Sequence, residues 1–139
     1  MTLETQKKAA RAAAFAQRKL AFEAQNGTAS GLLSEILAGY RGAALAGFMP
    51  INTEIDPRPA MAEASAHGAV GVPVITASAT PLEFARWSPG VVMVEGAFKA
   101  HIPADIEWMR FKTTHFLENP KSIKVLKILY INFVECFDF

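Results

Sequence analysis

Cysteine is nearly missing from this chain of 139 residues; Cys136 is the only one. An internal disulfide and a cysteine-built zinc cluster are therefore excluded, and a reducing compartment is expected. Charge imbalance is missing too. The 14 Lys and Arg residues offset 13 Asp and Glu to a net +1, so composition gives no ground for a nucleic-acid partner or an acidic surface. No apolar run reaches the ~18 residues that a membrane span needs. The N-terminus lacks the apolar segment of a secretory signal. It is rich in Arg, Lys and Ala like an organellar transit peptide, but Glu4, Glu23 and the helical pattern favour a mature helix. The expected location is cytoplasmic.

Other absences concern chemistry. There is no phosphate-binding glycine loop, no nucleophile elbow and no dinucleotide fingerprint. His101 and His115 have no partners at metal-ligand spacing. Glycine and alanine themselves run out along the chain. All nine glycines lie at or before Gly96, and all 24 alanines at or before Ala104, whereas half of the ten phenylalanines lie from Phe111 onward. The chain accordingly reads as a domain over 1–109 and a divergent tail over 110–139. From Ile123 to Phe139 only Lys124, Lys127, Asn132, Glu135 and Asp138 relieve an apolar run. Such a run suits a buried strand or helix and is an aggregation hazard if unpaired. Its composition suggests a separate origin, a spliced segment or a shifted reading frame near residue 110.

What is present supports a packed core in one domain. Leu, Ile, Val and Phe number 37 in all, above the range that signals disorder. Residues 4–25 read as a helix, alanine-rich and free of Gly and Pro. Ala12, Phe15, Lys19 and Phe22 follow helical spacing, with the Lys19 stem along the apolar stripe. Asn26-Gly27 ends it, and Thr28 or Ser30 can cap a second helix running to about Gly39, with Leu32, Leu33, Ile36 and Leu37 inward. Tyr40-Arg41-Gly42 is a turn. Ala43–Met49 reads as a buried strand that stops at Pro50. Asp56 caps a third helix with Pro57 at its first position, Met61, Ala62 and Ala66 inward, and Gly68 as its stop. Val70–Thr76 is a second strand, with Pro73 demanding an edge or a bulge. Pro81–Trp87 is extended, Ser88-Pro89-Gly90 turns, and Val91–Val94 is a third strand closed by Gly96. Strands alternating with helices predict an α/β fold, a three-layer α/β/α arrangement on a parallel or mixed sheet.

Few side chains in this frame bear chemistry. Glu54 stands on the loop after the first strand, where α/β proteins place ligand contacts, although an isolated loop carboxylate is more often simply solvated. Asp56 has a full structural explanation as a cap. Lys7 and Arg11, four apart, share a helix face. The bland reading is a solvated basic face; the sharper one is a grip on a polyphosphate. Trp87, three residues after Phe84, either fills core or walls a site for a flat heterocycle. His67 suits a helix C-terminus, and Cys136 packs within the apolar tail.

The run Ala46-Gly47-Phe48-Met49-Pro50-Ile51-Asn52-Thr53-Glu54-Ile55-Asp56-Pro57-Arg58-Pro59 resembles the 5-formyltetrahydrofolate cyclo-ligase (methenyltetrahydrofolate synthetase) family. In the family's order there follow Gly71-Val72-Pro73-Val74-Ile75, then Pro81-Leu82-Glu83-Phe84-Ala85-Arg86-Trp87-Ser88-Pro89-Gly90, then Gly96-Ala97-Phe98 and, more faintly, Ile102-Pro103-Ala104. The spacing of Lys7 and Arg11 matches the family's opening basic helix. The resemblance covers residues 5–109, with Trp108-Met109 its last positions. It implies a ligase of one-carbon metabolism: ATP phosphorylates the formyl oxygen of 5-formyltetrahydrofolate, Mg2+ balances the phosphate charge, and the neighbouring amine closes the ring to 5,10-methenyltetrahydrofolate. Carried over by position, it implies that Lys7 and Arg11 contact ATP, and that Met49, Glu54 and Trp87 contact the folate. Family members continue into a further strand and a glycine-rich loop that cradles the ATP phosphates. Here no glycine follows Gly96, so this chain is expected to be impaired as an enzyme. The alternatives are a non-catalytic folate- or nucleotide-binding remnant and a protein-pairing module. An RNA-binding basic helix has little behind it, because no aromatic stacking set accompanies the charges.

Overall fold

The computed structural model describes residues 1–25 and 29–110. The expected turn at Asn26-Gly27, the Thr28 cap and the tail from Phe111 onward lie outside them. In chain order the elements are α1 (Leu3–Gln25), α2 (Ala29–Ala38), β1 (Leu45–Ala46), α3 (Arg58–Ser65), β2 (Val70–Val74), β3 (Glu83–Trp87), β4 (Met93–Glu95), β5 (His101–Pro103) and β6 (Trp108–Met109). One sheet has the order β1-β2-β3-β6, and β4 and β5 form a separate ribbon. β1 runs parallel to β2, while β2–β3 and β3–β6 are antiparallel. The fold is a mix of helices and a mixed sheet.

All five residues of β2 are buried, as an apolar Val-Gly-Val-Pro-Val run predicts for a strand covered on both faces. Its register places Val70 beside Leu45 and Trp87, and Val72 beside Ala85. These side chains share one face of the sheet, because alternate residues point to opposite sides. There Leu45, Val70, Val72 and Trp87 form a single core with Leu37 of α2 and with Ala60 and Met61 of α3. On the opposite face, Gly71 lets Met109 approach; a Cβ at Gly71 would lie 2.8 Å from the Met109 Sδ.

Pro73 sits in a central strand, not at a sheet edge. The ladder explains how. Leu45 and Gly47 donate their N–H groups to the carbonyls of Ala69 and Gly71 at 2.9 and 2.7 Å. The odd-numbered groups of β2 thus face β1, and the next donor on that side would be the N–H that proline lacks. Pairing stops there, which keeps β1 to two residues although the apolar run extends to Met49.

The other differences from the sequence reading are local. Of the four α2 residues expected inward, Leu37 is buried and Leu33 packs against the core, whereas Leu32 and Ile36 are exposed. In α3, Met61 is buried and Ala62 half-buried, Ala66 is exposed, and Ala60 joins the core in its place. The third strand lies in the β4–β5 ribbon rather than the main sheet. Gly68 does not end α3 by a left-handed turn: the positive-φ glycines are Gly42 and Gly90. Gly68 is needed for proximity, since a Cβ there would lie 2.8 Å from the Ala43 carbonyl oxygen.

Candidate functional site

The loop after β1 turns back on itself within a few residues. Asn52 has φ 54°, a left-handed conformation that asparagine tolerates better than most residues. That turn brings the Glu54 N–H to the Ile51 carbonyl at 3.2 Å. The Glu54 Oε2 in turn accepts the Ile51 N–H at 2.8 Å. The carboxylate is therefore fixed by its own loop, with its side chain 16% exposed.

Arg18 closes over this loop from α1. Its Nε donates to the Thr53 Oγ1 at 3.1 Å, its Nη1 lies 3.8 Å from the Glu54 Oε1, and its guanidinium carbon stands 4.9 Å from the centre of the Phe15 ring. No residue of α1 is buried. Its two half-buried residues are Arg11 and Arg18, and every other described α1 side chain is exposed. At 3.6 residues per turn, Lys7, Arg11 and Arg18 fall within a narrow arc. α1 therefore meets the body of the molecule along a cationic edge, where an ordinary amphipathic helix would present an apolar one.

The candidates read from the sequence are distributed unevenly. Glu54 stands at the centre, with Met49 half-buried just before the loop and packed against the core. Arg11 lies on the α1 face that carries Arg18, and Lys7 is exposed one turn further out. Trp87 is in the hydrophobic core across from Val70, with 7% of its surface exposed. Arg18 and Thr53 escaped the sequence reading. A signal for Arg18 existed: it repeats Arg11 at a seven-residue interval on the same helix face.

Asp56 keeps its structural role, with one shift of position. α3 begins at Arg58 with Pro57 as its N-cap residue, and no side chain caps it from that position. Asp56 Oδ1 accepts the Arg58 N–H at 3.0 Å and its Nε at 2.8 Å, and Oδ2 accepts Nη2 at 2.8 Å. The Arg58 side-chain hydrogen bonds hold the Asp56 carboxyl below the usual carboxylate value, against an opposing effect of partial burial. The same pairing raises Arg58. Asp56 is thus already engaged by its neighbour.

A cleft of about 40 Å³ lies elsewhere, between α2, α3 and β1, lined by residues including Leu37, Tyr40, Arg41, Ala43 and His67. Its lining includes both residues of β1 and none of the loop that carries Glu54. Among the described residues, no three His, Cys, Asp or Glu side chains are grouped to hold a metal ion. None of the described helices is long and apolar enough to cross a membrane. Compared with protein-family models, curated proteins and solved structures, the chain matches none.

Proposed function

We propose that the chain is a cytoplasmic folate-binding protein of the 5-formyltetrahydrofolate cyclo-ligase kind, built on a three-layer α/β/α plan and without, in these 139 residues, the glycine-rich loop of an active enzyme. Glu54 accepts N–H groups of the pterin, Met49 supports its apolar edge, and Lys7 and Arg11 face the phosphates of ATP. Trp87 contributes through the core beneath the sheet. The observation that carries this reading is Glu54 itself: an anchored, mostly shielded carboxylate on a strand-end loop, facing the cationic edge of α1. Acceptors held in place before a ligand arrives lose little freedom on binding it.

ATP fits this arrangement through charge: Lys7 and Arg11 on one helix face suit phosphate oxygens. Mg2+ has no dedicated protein cage among the described residues, which suits an ion that enters with its phosphates, as Mg2+ commonly does. Activation of a formyl oxygen by phosphate transfer is the chemistry ATP supplies when bound. The residues of this chain bind and orient. With no glycine after Gly96, the sequence holds no glycine-rich loop of the kind whose backbone donors cradle a transferring phosphate. Binding should therefore outlast turnover.

Equilibrium binding of 5-formyltetrahydrofolate and of ATP, with Glu54→Ala as control, tests this. Folate binding that weakens tenfold or more in the variant, with ATP binding little changed, supports the reading; no folate binding by the unaltered chain overturns it. A coupled assay should find little or no ATP-dependent methenyltetrahydrofolate. The alternative of a non-catalytic remnant is favoured by the same missing glycines, and turnover by the 139-residue chain would exclude it.

A further inference from the structure

Arg18 was assigned no role by the sequence, and its surroundings are unusual for a helix arginine. Three contacts restrain it: the Thr53 hydroxyl at Nε, the Phe15 ring at 4.9 Å and the Glu54 carboxylate at 3.8 Å from Nη1. Only the first is a hydrogen bond; 3.8 Å is an ionic approach beyond hydrogen-bonding distance. A guanidinium has five N–H donors in a planar fork. Here one is spent on Thr53, and among the described residues the terminal Nη groups make no hydrogen bond. The side chain is 34% exposed, so these donors can reach a ligand. A stacked, pinned guanidinium with unspent terminal donors is arranged for two-point recognition of an oxyanion, and its pre-set geometry reduces the entropy lost on binding.

We propose that Arg18 is a binding residue for an oxyanion, phosphate or carboxylate, and that it forms one cationic groove with Arg11 and Lys7 along α1. Arg11 and Arg18 are about 10 Å apart along the helix axis, and Lys7 and Arg18 about 16 Å. Long side chains bridge the first gap readily, so a polyanion can engage both arginines at once. The contact with Glu54 is the resting partner of Arg18. An arriving oxyanion takes the Nη donors while the Nε–Thr53 bond keeps the fork aimed. This inference deepens the phosphate-binding half of the reading above and is independent of its pterin half.

The test is titration of the full chain with inorganic tripolyphosphate and, separately, with triglutamate, at low and moderate salt. The variants are Arg18→Ala, Arg18→Lys and Lys19→Ala. Lys19 is the fitting control: it removes the same charge from the next position of the same helix, and its partner is Glu23 at 4.0 Å, one turn along α1. Arg18→Ala is expected to weaken one of the two ligands at least tenfold, identifying phosphate or carboxylate as the group bound. Arg18→Lys should recover only part, because an ammonium lacks the fork. Lys19→Ala should change little. Equal losses in Arg18→Ala and Lys19→Ala mean general charge attraction and overturn the proposal, as does no binding of either ligand by the unaltered chain. Tripolyphosphate carries no pterin, so failure here with intact Glu54-dependent folate binding removes the Arg18 site and leaves the folate reading standing.

Discussion

Glu54 and Ile51 hydrogen-bond to each other twice. The Ile51 N–H donates to the Glu54 carboxylate at 2.8 Å, and the Glu54 N–H donates to the Ile51 carbonyl at 3.2 Å. The acid that could serve a ligand is thus also the acid that shapes its loop. The two roles separate by substitution. Glu54→Ala should lower stability by about 1.5–3 kcal/mol, the range for a hydrogen bond to a charged group. Glu54→Gln keeps an acceptor for Ile51 and should recover most of that, while losing the attraction to Arg18. Thermal midpoints of the three proteins check this; equal losses in the two variants would show that charge, not the loop bond, is what matters.

Trp87 should behave as a core residue. Trp87→Ala removes the largest side chain of the buried cluster and is expected to cost about 3–5 kcal/mol. Trp87→Phe keeps much of the volume and should cost far less. If the Phe variant folds as stably as the unaltered chain yet loses folate affinity tenfold, the ring faces a ligand after all. Denaturant unfolding with a binding titration on the same samples reads both quantities.

Gly47 and Gly68 are both held by proximity, and the atoms they meet differ. A Cβ at Gly47 would lie 2.7 Å from the Met61 Sδ, whereas one at Gly68 would lie 2.8 Å from the Ala43 carbonyl oxygen. A thioether can swing aside, though Met61 is only 1% exposed; a backbone carbonyl in a turn cannot. Both Gly→Ala substitutions should destabilise by about 1–3 kcal/mol, with Gly68→Ala the worse. Met61→Val should relieve Gly47→Ala in part and leave Gly68→Ala unrelieved. A double-mutant cycle on unfolding free energies measures the difference.

The Asp56–Arg58 pair predicts a pH dependence. Arg58 holds the Asp56 carboxyl below its ordinary value of 3.8 in the folded chain. The unfolded chain therefore takes up its proton first as pH falls. The stabilisation is fully present above about pH 4 and is lost as pH drops through the lower folded value. Its size is small, under about 1 kcal/mol, because the Asp56 and Arg58 side chains are 41% and 56% exposed. Asp56→Asn should be less stable than the unaltered chain at pH 7, and the gap should be narrower at pH 3. Urea midpoints at the two pH values test this; a constant gap would mean that Asp56 acts through something other than its charge.

The long-helix and strand-loop-helix patterns were legible because they are local. Alanine content without Gly or Pro specifies α1 almost to its ends, and the apolar run Val70–Thr76 specifies a strand, though its burial on both faces is a finding of the structure. Helix faces were less legible. Leu32 and Ile36 belong to an apolar α2, but only Leu33 and Leu37 meet the core. Which side of a short helix is inward depends on where the sheet lies. Pro73 misled as an edge signal for a similar reason: proline forbids one hydrogen bond, and whether that matters depends on how far the neighbouring strand extends.

By itself the sequence determined the helical segments, the apolar strands, the placement of Glu54 on the loop after β1 and the assignment of Asp56 to structure. Each follows from propensity, periodicity or capping within a few residues of chain. Only the tertiary structure decided that Trp87 is core, that β4 leaves the main sheet, and that Arg18 closes over Thr53 and Glu54. Those facts join residues far apart in the chain, and no local rule carries such a distance. They follow from strand register, from the close approach that glycine permits, and from a helix that meets its neighbours through its charges.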